Sequence, residues 1–221
     1  MEKALIIGAS GGIGQAVVAE LTARGVAVQG LSRSGDGLNL TNPDAVERIL
    51  GQVEGPFDAI LVTSGALEVA GAAPEKSIKS ITAQAMVDQF AVNAVGPALV
   101  LRHAARLLSR DRRAVVAVLS ARVGSIGDNR LGGWVSYRAA KAAVNQIVRT
   151  TAIELARTHK QSICVSLHPG TVATAFTEKY LGRHPSVPPA EAAANLINVI
   201  EGLTPEHTGQ FFDWAGKAVP W

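Results

Sequence analysis

Short apolar runs alternate with helical patterns along the chain. The run Ala4–Ile7 leads into glycine-rich residues, and apolar positions then recur at helical spacing from Gly12 to Arg24. Val26–Leu31 is a second strand candidate, and Leu38–Leu40 is a further, very short one. Thr41-Asn42-Pro43-Asp44 reads as a helix start, with a capping residue followed by proline in the first turn. Ala59–Thr63, Ala114–Leu119 and Ile163–Leu167 are apolar bursts of buried-strand length, and between them lie long helical stretches at Thr82–Ser109 and Val135–Thr158. Strands that lack polar alternation and are separated by helices predict an α/β fold, a parallel sheet covered on both faces. There is no repeat, low-complexity tract or linker, so one domain over residues 1–221 is expected, with Pro185–Pro189 as an internal loop.

Composition narrows the class. Of the 221 residues, 48% are hydrophobic and 18% charged, which excludes a disordered chain. The charge-free stretch Ala4–Ala19 contains glycines, Ser10 and Gln15, too polar to span a bilayer and without the flanks of a signal peptide. No membrane association and a cytoplasmic location are the expectation. The net charge is 21 − 18 = +3. The densest basic cluster, Arg102, Arg106, Arg110, Arg112 and Arg113, reads as a solvated helix face or a subunit contact. No nucleic-acid partner is expected, because no aromatic residues interleave with these arginines. Cys164 is the only cysteine, which excludes an internal disulfide and a cysteine-based zinc site, and reads as a small buried hydrophobe. His103, His159, His168, His184 and His207 are scattered without metal-ligand spacing, so no metal is expected.

Two motifs carry chemistry. The first is Gly8-Ala9-Ser10-Gly11-Gly12-Ile13-Gly14, which follows a strand and opens a helix. Gly8 permits a tight turn, Gly12 a close backbone approach to a pyrophosphate, and Gly14 close packing of helix on strand. The N–H groups at the helix start favour phosphate charge, so the turn points to a dinucleotide. An acid that would hold a ribose 2′-hydroxyl is absent at the end of the second strand, Gly30-Leu31-Ser32-Arg33-Ser34, until Asp36. Ser32 and Arg33 instead suit a 2′-phosphate, which favours NADP(H). The second motif is Tyr137-Arg138-Ala139-Ala140-Lys141, which sets a phenol and an ammonium on one helical face. A neighbouring ammonium stabilises phenolate and brings a phenol toward useful acid–base range.

Together these motifs resemble the short-chain dehydrogenase/reductase family, and the resemblance runs essentially end to end. Its further marks are Asn93 in Asn93-Ala94-Val95-Gly96 and Pro169-Gly170 after a strand. The stretch Gly124-Ser125-Ile126 through Gly132-Gly133-Trp134, and the ending Phe211-Phe212-Asp213-Trp214-Ala215-Gly216 to Pro220-Trp221, resemble the C-factor-like and sniffer-like carbonyl reductase branch. The resemblance implies a Rossmann-type doubly wound sheet and reversible hydride transfer between NADP(H) and a small-molecule carbonyl or alcohol. It gives Tyr137 the proton donation, Lys141 the nicotinamide ribose and the tuning of Tyr137, and Asn93 a water in a proton relay. Asn39 and Leu40 match the adenine-contacting position, Gly65 lies in the loop after the next strand, and Pro169, Gly170, Val172 and Thr174 fit the loop that holds the carboxamide. A homodimer or homotetramer is the expected assembly.

Two departures stand out. Thr63-Ser64-Gly65-Ala66 replaces the family's Asn-Asn-Ala-Gly. More sharply, the catalytic serine normally precedes x-x-Gly, and Gly124 puts Ala121 in that slot. Ser120 is adjacent but is expected to face away, since successive strand residues alternate faces. Ser125, in the following loop, is the remaining serine candidate. The vacant slot keeps open a second class of reading, a non-catalytic NADP(H)-binding signalling or sensor protein on the same fold. Substrate specificity is expected to lie in Gly127–Trp134 and Thr174–Pro189.

Overall fold

The computed structural model describes residues 1–175, 177 and 185–221. Six strands form one sheet: β1 (Lys3–Ile7), β2 (Ala27–Leu31), β3 (Ala59–Val62), β4 (Ala114–Leu119), β5 (Ser162–His168) and β6 (Phe211–Asp213). Their order is β2-β1-β3-β4-β5-β6, every pair parallel. The apolar runs dictate this arrangement, because strands without a polar face must be covered on both sides. Leu5, Ile7, Ile60, Val62, Val116 and Val118 point into one core, and Ala4, Ile6, Ala59, Leu61, Val115 and Ala117 into the other.

Helices close each core. On the first face lie α3 (Pro43–Gly51), through Val46 and Leu50, and α7 (Val135–Thr158), through Val144, Val148, Ala152 and Leu155. On the second lie α1 (Gly12–Ala23), through Val17 and Leu21, and α8 (Pro189–Gly202), through Leu196, Ile197 and Ile200. As expected, Cys164 is a core hydrophobe, its thiol pushed up to about 12 by burial.

Two sequence expectations fail for identifiable reasons. Leu38–Leu40 is not a strand. After the single-turn α2 (Arg33–Asp36), the Leu38 N–H is given to the Ser32 carbonyl and the Asn39 N–H to that of Gly37, while the Leu38 side chain plugs the core. The second failure is Thr82–Ser109, which is not one helix. It divides into α4 (Ala83–Phe90), a π-helical turn at Ala91–Val95, α5 (Gly96–Leu101) and α6 (Ala104–Leu107). Pro97 has no N–H for the Asn93 carbonyl, which breaks the α pattern there. Arg102, Arg106 and Arg110 therefore do not share a helix face. Arg106 donates to the Leu50 and Val53 carbonyls at the end of α3, and Arg113 to Ile200 and Leu203 at the end of α8, where a helix dipole favours a cation.

Candidate active site

A parallel sheet gathers the ends of its strands along one edge, and ligands bind where the strand order reverses. Here the reversal falls between β1 and β3. At that edge the glycine turn after β1, Thr63–Gly65 after β3, Ser120–Ala121 after β4 and His168–Gly170 after β5 come together around a cavity of about 500 Å³.

The glycine turn is built for close approach. Gly8 takes φ +89°, and a Cβ on Gly14 would lie 2.1 Å from the Gly8 carbonyl oxygen, so only glycine lets α1 pack on the strand end. Ser10, Gly11, Gly12 and Ile13 line the cavity, and no side chain caps the N-terminus of α1. Its first amides remain available to an anion. Opposite the turn stand Pro169, Gly170, Val172 and Thr174, the last so close that a Cβ on Gly12 would fall 2.7 Å from its Cγ2. Gly65 forms part of the same wall, where a side chain would crowd Asn93 and Lys141.

Helix α7 carries Tyr137 and Lys141, one turn apart, both buried and both lining the cavity. Its start is held from a distance. The Trp134 N–H donates to the Glu75 carbonyl, and the Glu75 carboxylate accepts from the Ser136 N–H and hydroxyl. Burial opposes the charge of Glu75, but the bonds from Ser136 hold its carboxyl below the ordinary range. Nothing in the local sequence marks Glu75, which is distant in the chain from the helix it caps.

Burial sets the protonation states of the pair. It drives the Lys141 ammonium down to about 8 and pushes the Tyr137 phenol well above its ordinary value. The Lys141 Nζ donates to the Leu119 carbonyl at 3.0 Å and lies 5.8 Å from the Tyr137 ring centre. The sequence expectation that Lys141 brings the phenol down is not met: burial raises it, and no lowering by the ammonium accompanies that rise. Tyr137 is held as a phenol, the form that donates a proton.

Asn93 is fully buried on the π turn. Its amide donates to the Ala66 carbonyl at 2.8 Å and to Gln89 Oε1 at 2.6 Å, and its Oδ1 accepts from the Ala66 N–H. The side chain thus clamps the loop after β3, and Asn93 does not line the cavity. Gln89, which also donates to the Leu67 carbonyl, is a partner the sequence reading missed. The departure at Thr63 is structural, because its hydroxyl ties β3 to the Ile7 carbonyl at 2.9 Å.

Four expected cofactor residues lie away from this cavity. Ser32 is committed locally: its N–H donates to Asp36 Oδ2 at 2.7 Å, and its hydroxyl accepts from the Gly35 N–H and donates to the same carboxylate. Arg33 is exposed, with no side-chain partner among the described residues. Asn39 Oδ1 accepts from the Thr41 N–H and hydroxyl, and Leu40 packs against the core and Gly96.

Ala121 faces the cavity, as its slot requires. Ser120 borders it but turns its hydroxyl toward the Lys141 carbonyl at 3.4 Å. Ser125 is a correction: it is buried outside the cavity lining, its oxygen accepting the Asp128 N–H at 3.1 Å. His168, read from sequence as one of several scattered histidines, does line the site. An outer compartment of about 740 Å³ continues past Tyr137 to Trp134, Trp214, Arg122, Arg130 and Arg138. Of the two expected specificity segments, Gly127–Trp134 contributes to this wall; His184 and part of Thr174–Pro189 lie outside the described residues.

The chain is similar to known proteins in sequence and in fold. The chain is 31% identical over 235 residues to 1-hydroxy-2-glutathionyl-2-methyl-3-butene dehydrogenase of Rhodococcus sp. (strain AD45), covering 100% of both chains. It is 37% identical over 139 residues to the C-signal protein of Myxococcus xanthus, covering 62% of this chain and 78% of that one. Its fold matches the NADPH-bound carbonyl reductase from chicken fatty liver with a TM-score of 0.84 at 20% identity, covering 100% of this chain and 94% of that one. Residues 2–183 match the family model described as short chain dehydrogenase. The chain belongs to the short-chain dehydrogenase family.

Proposed function

We propose that the protein reduces a small-molecule carbonyl to the alcohol with NADPH, Tyr137 acting as the proton donor. The observation that carries this reading is the buried Tyr137 phenol, one turn from the buried Lys141, facing the cavity that begins at the glycine turn.

The residues present suit the dinucleotide. The uncapped start of α1 offers N–H groups to a pyrophosphate, and the glycine turn leaves room for it to approach. Pro169, Gly170, Val172 and Thr174 would hold the carboxamide end, and Lys141 the adjoining ribose. Arg33, exposed beyond β2 and without a side-chain partner among the described residues, would meet a 2′-phosphate. The matching fold of a carbonyl reductase described as NADPH-bound supports the same cofactor. When bound, NADPH supplies the hydride.

Tyr137 holds the proton that the carbonyl oxygen receives, and burial keeps it there until the oxygen becomes basic. Lys141, drawn down to about 8, sits where an ammonium stabilises the phenolate left behind. Asn93 fixes the β3 loop, and with it Gly65 in the cavity wall, through Ala66 and Gln89, and in this reading also orders a water in the proton route. The alternative, a non-catalytic NADP(H)-binding signalling protein, draws on one observation: Ala121 offers no hydroxyl in the serine slot. Turnover separates the two. In a screen of NADPH oxidation with ketones, aldehydes and quinones, the reductase turns over at least one class. Tight NADPH binding with no turnover of any class favours the signalling protein.

A further inference from the structure

The inner and outer compartments meet at Ala121, Tyr137, His168, Gly170 and Thr177. A carbonyl that reaches Tyr137 from the outer compartment must place its oxygen at this junction. There the oxygen gains negative charge during reduction, and each preorganised donor aimed at it lowers the barrier. Three of the five junction residues have hydrogen-bonding side chains. Thr177 is already committed, donating to the Val172 carbonyl and accepting the Thr174 N–H. The Tyr137 hydroxyl and the His168 ring have no hydrogen-bond partner among the described residues.

We propose that His168 is the second donor to the substrate carbonyl oxygen, acting beside Tyr137 through its Nε2–H. This inference rests on the reading of the site as a carbonyl reductase. His168 ends β5, next to the Ser120 segment on one side, where the Ser120 N–H meets the Leu167 carbonyl, and paired with Asp213 of β6 on the other. Its Nδ1 is buried without a hydrogen-bond partner among the described residues. A buried orphan N–H is rarer and costlier than an orphan lone pair, so the ring proton belongs on Nε2. Among the described residues the charged groups facing the ring are Arg122 and Asp213, which partly offset each other. Burial is the larger influence and holds the imidazole neutral, its pKa down to about 4. A neutral imidazole can polarise a carbonyl without giving up its proton.

The carbonyl carbon accepts hydride from NADPH, the π pair moves to oxygen, and the Tyr137 proton completes the hydroxyl. His168 keeps its proton and stabilises the oxygen as it charges.

Steady-state kinetics and NADPH affinity of variants at this position test the assignment. His168→Ala is expected to lose about 10²-fold in kcat, the scale of a single lost oxyanion donor, with NADPH affinity within about threefold of the parent. His168→Gln, whose amide nitrogen reaches the Nε2 position, is expected to keep at least about tenfold more activity than His168→Ala. Ala121→Ser in the His168→Ala background should restore at least about tenfold by supplying a hydroxyl from the end of the neighbouring strand. Should the alanine variant not fold, Gln must outperform His168→Asn, whose amide stops at the Nδ1 position. The inference is overturned if His168→Ala turns over within about threefold of the parent. Equal loss in the Ala and Gln variants with no restoration by serine, or Asn outperforming Gln, also overturns it. If the unaltered protein reduces no carbonyl, the underlying reading fails instead. An active parent with an unaffected His168→Ala refutes His168 alone.

Discussion

Replacing Lys141 by methionine should make the cofactor-free protein more stable while abolishing its chemistry. Lys141 is 3% exposed, and burial lowers its ammonium from an ordinary 10.5 to about 8. That displacement corresponds to about 3 kcal/mol of destabilisation at about 1.4 kcal/mol per pH unit. The sign follows from proton binding. Between about pH 8 and 10.5 the unfolded chain binds more protons at this site, so stability rises with pH across that window and the full penalty acts below it. Methionine has similar length and no charge, so Lys141→Met removes the penalty. The Leu119 carbonyl loses its donor, which costs about 1 kcal/mol. A net gain of about 2 kcal/mol remains, or a Tm rise of about 4–8 °C for a chain of this size. Urea denaturation of the NADPH-free proteins at pH 7, repeated near pH 10, measures it. The advantage of Lys141→Met should shrink strongly at the higher pH. An equal or lower stability of Lys141→Met at pH 7 would refute the reasoning.

Other outcomes follow from the geometry. Arg33→Ala should reduce the preference for NADPH over NADH by about tenfold or more, while Asp36→Asn, by loosening the carboxylate's hold on Ser32, should strengthen NADPH binding; equilibrium titration of both cofactors checks this. Glu75→Gln weakens the anchor at the start of α7, and kcat should fall by about tenfold with little change in NADPH affinity, as stopped-flow and binding data will show. Because the Glu75 carboxyl is held below its ordinary range, its contribution to stability is present at neutral pH and lost as pH falls through that lowered value, visible in acid denaturation. Ser125→Ala should leave turnover within about threefold, since its hydroxyl serves Asp128 and not the cavity.

Much of this site was legible because its chemistry is local. The glycine turn and the Tyr137–Lys141 spacing lie within single stretches of chain, and strand–helix alternation places both at the same sheet edge. What failed depended on contacts between distant segments or on details within a turn. Leu38 is apolar because it fills a core, and sequence alone does not separate that from strand pairing. The break inside Thr82–Ser109 was signalled by Pro97 but masked by the continuous apolar pattern around it. β6 has three residues, too short to register as a strand on its own. Glu75 and Ser136 meet across 61 positions, and no local pattern announces the pair. His168 looked ordinary until the end of β5 brought its ring beside Ala121 and Tyr137.

The central claim, that Tyr137 delivers the proton, is tested most directly by Tyr137→Phe. This change keeps the buried ring, including its edge contact with Trp134 at 6.3 Å, and removes only the hydroxyl. NADPH-dependent carbonyl turnover and NADPH affinity should be measured on the same preparation. Turnover is expected to fall by about 10²- to 10⁴-fold, with affinity within about threefold of the parent, because the hydroxyl acts chiefly in the transition state. Near-normal turnover in Tyr137→Phe would contradict the account.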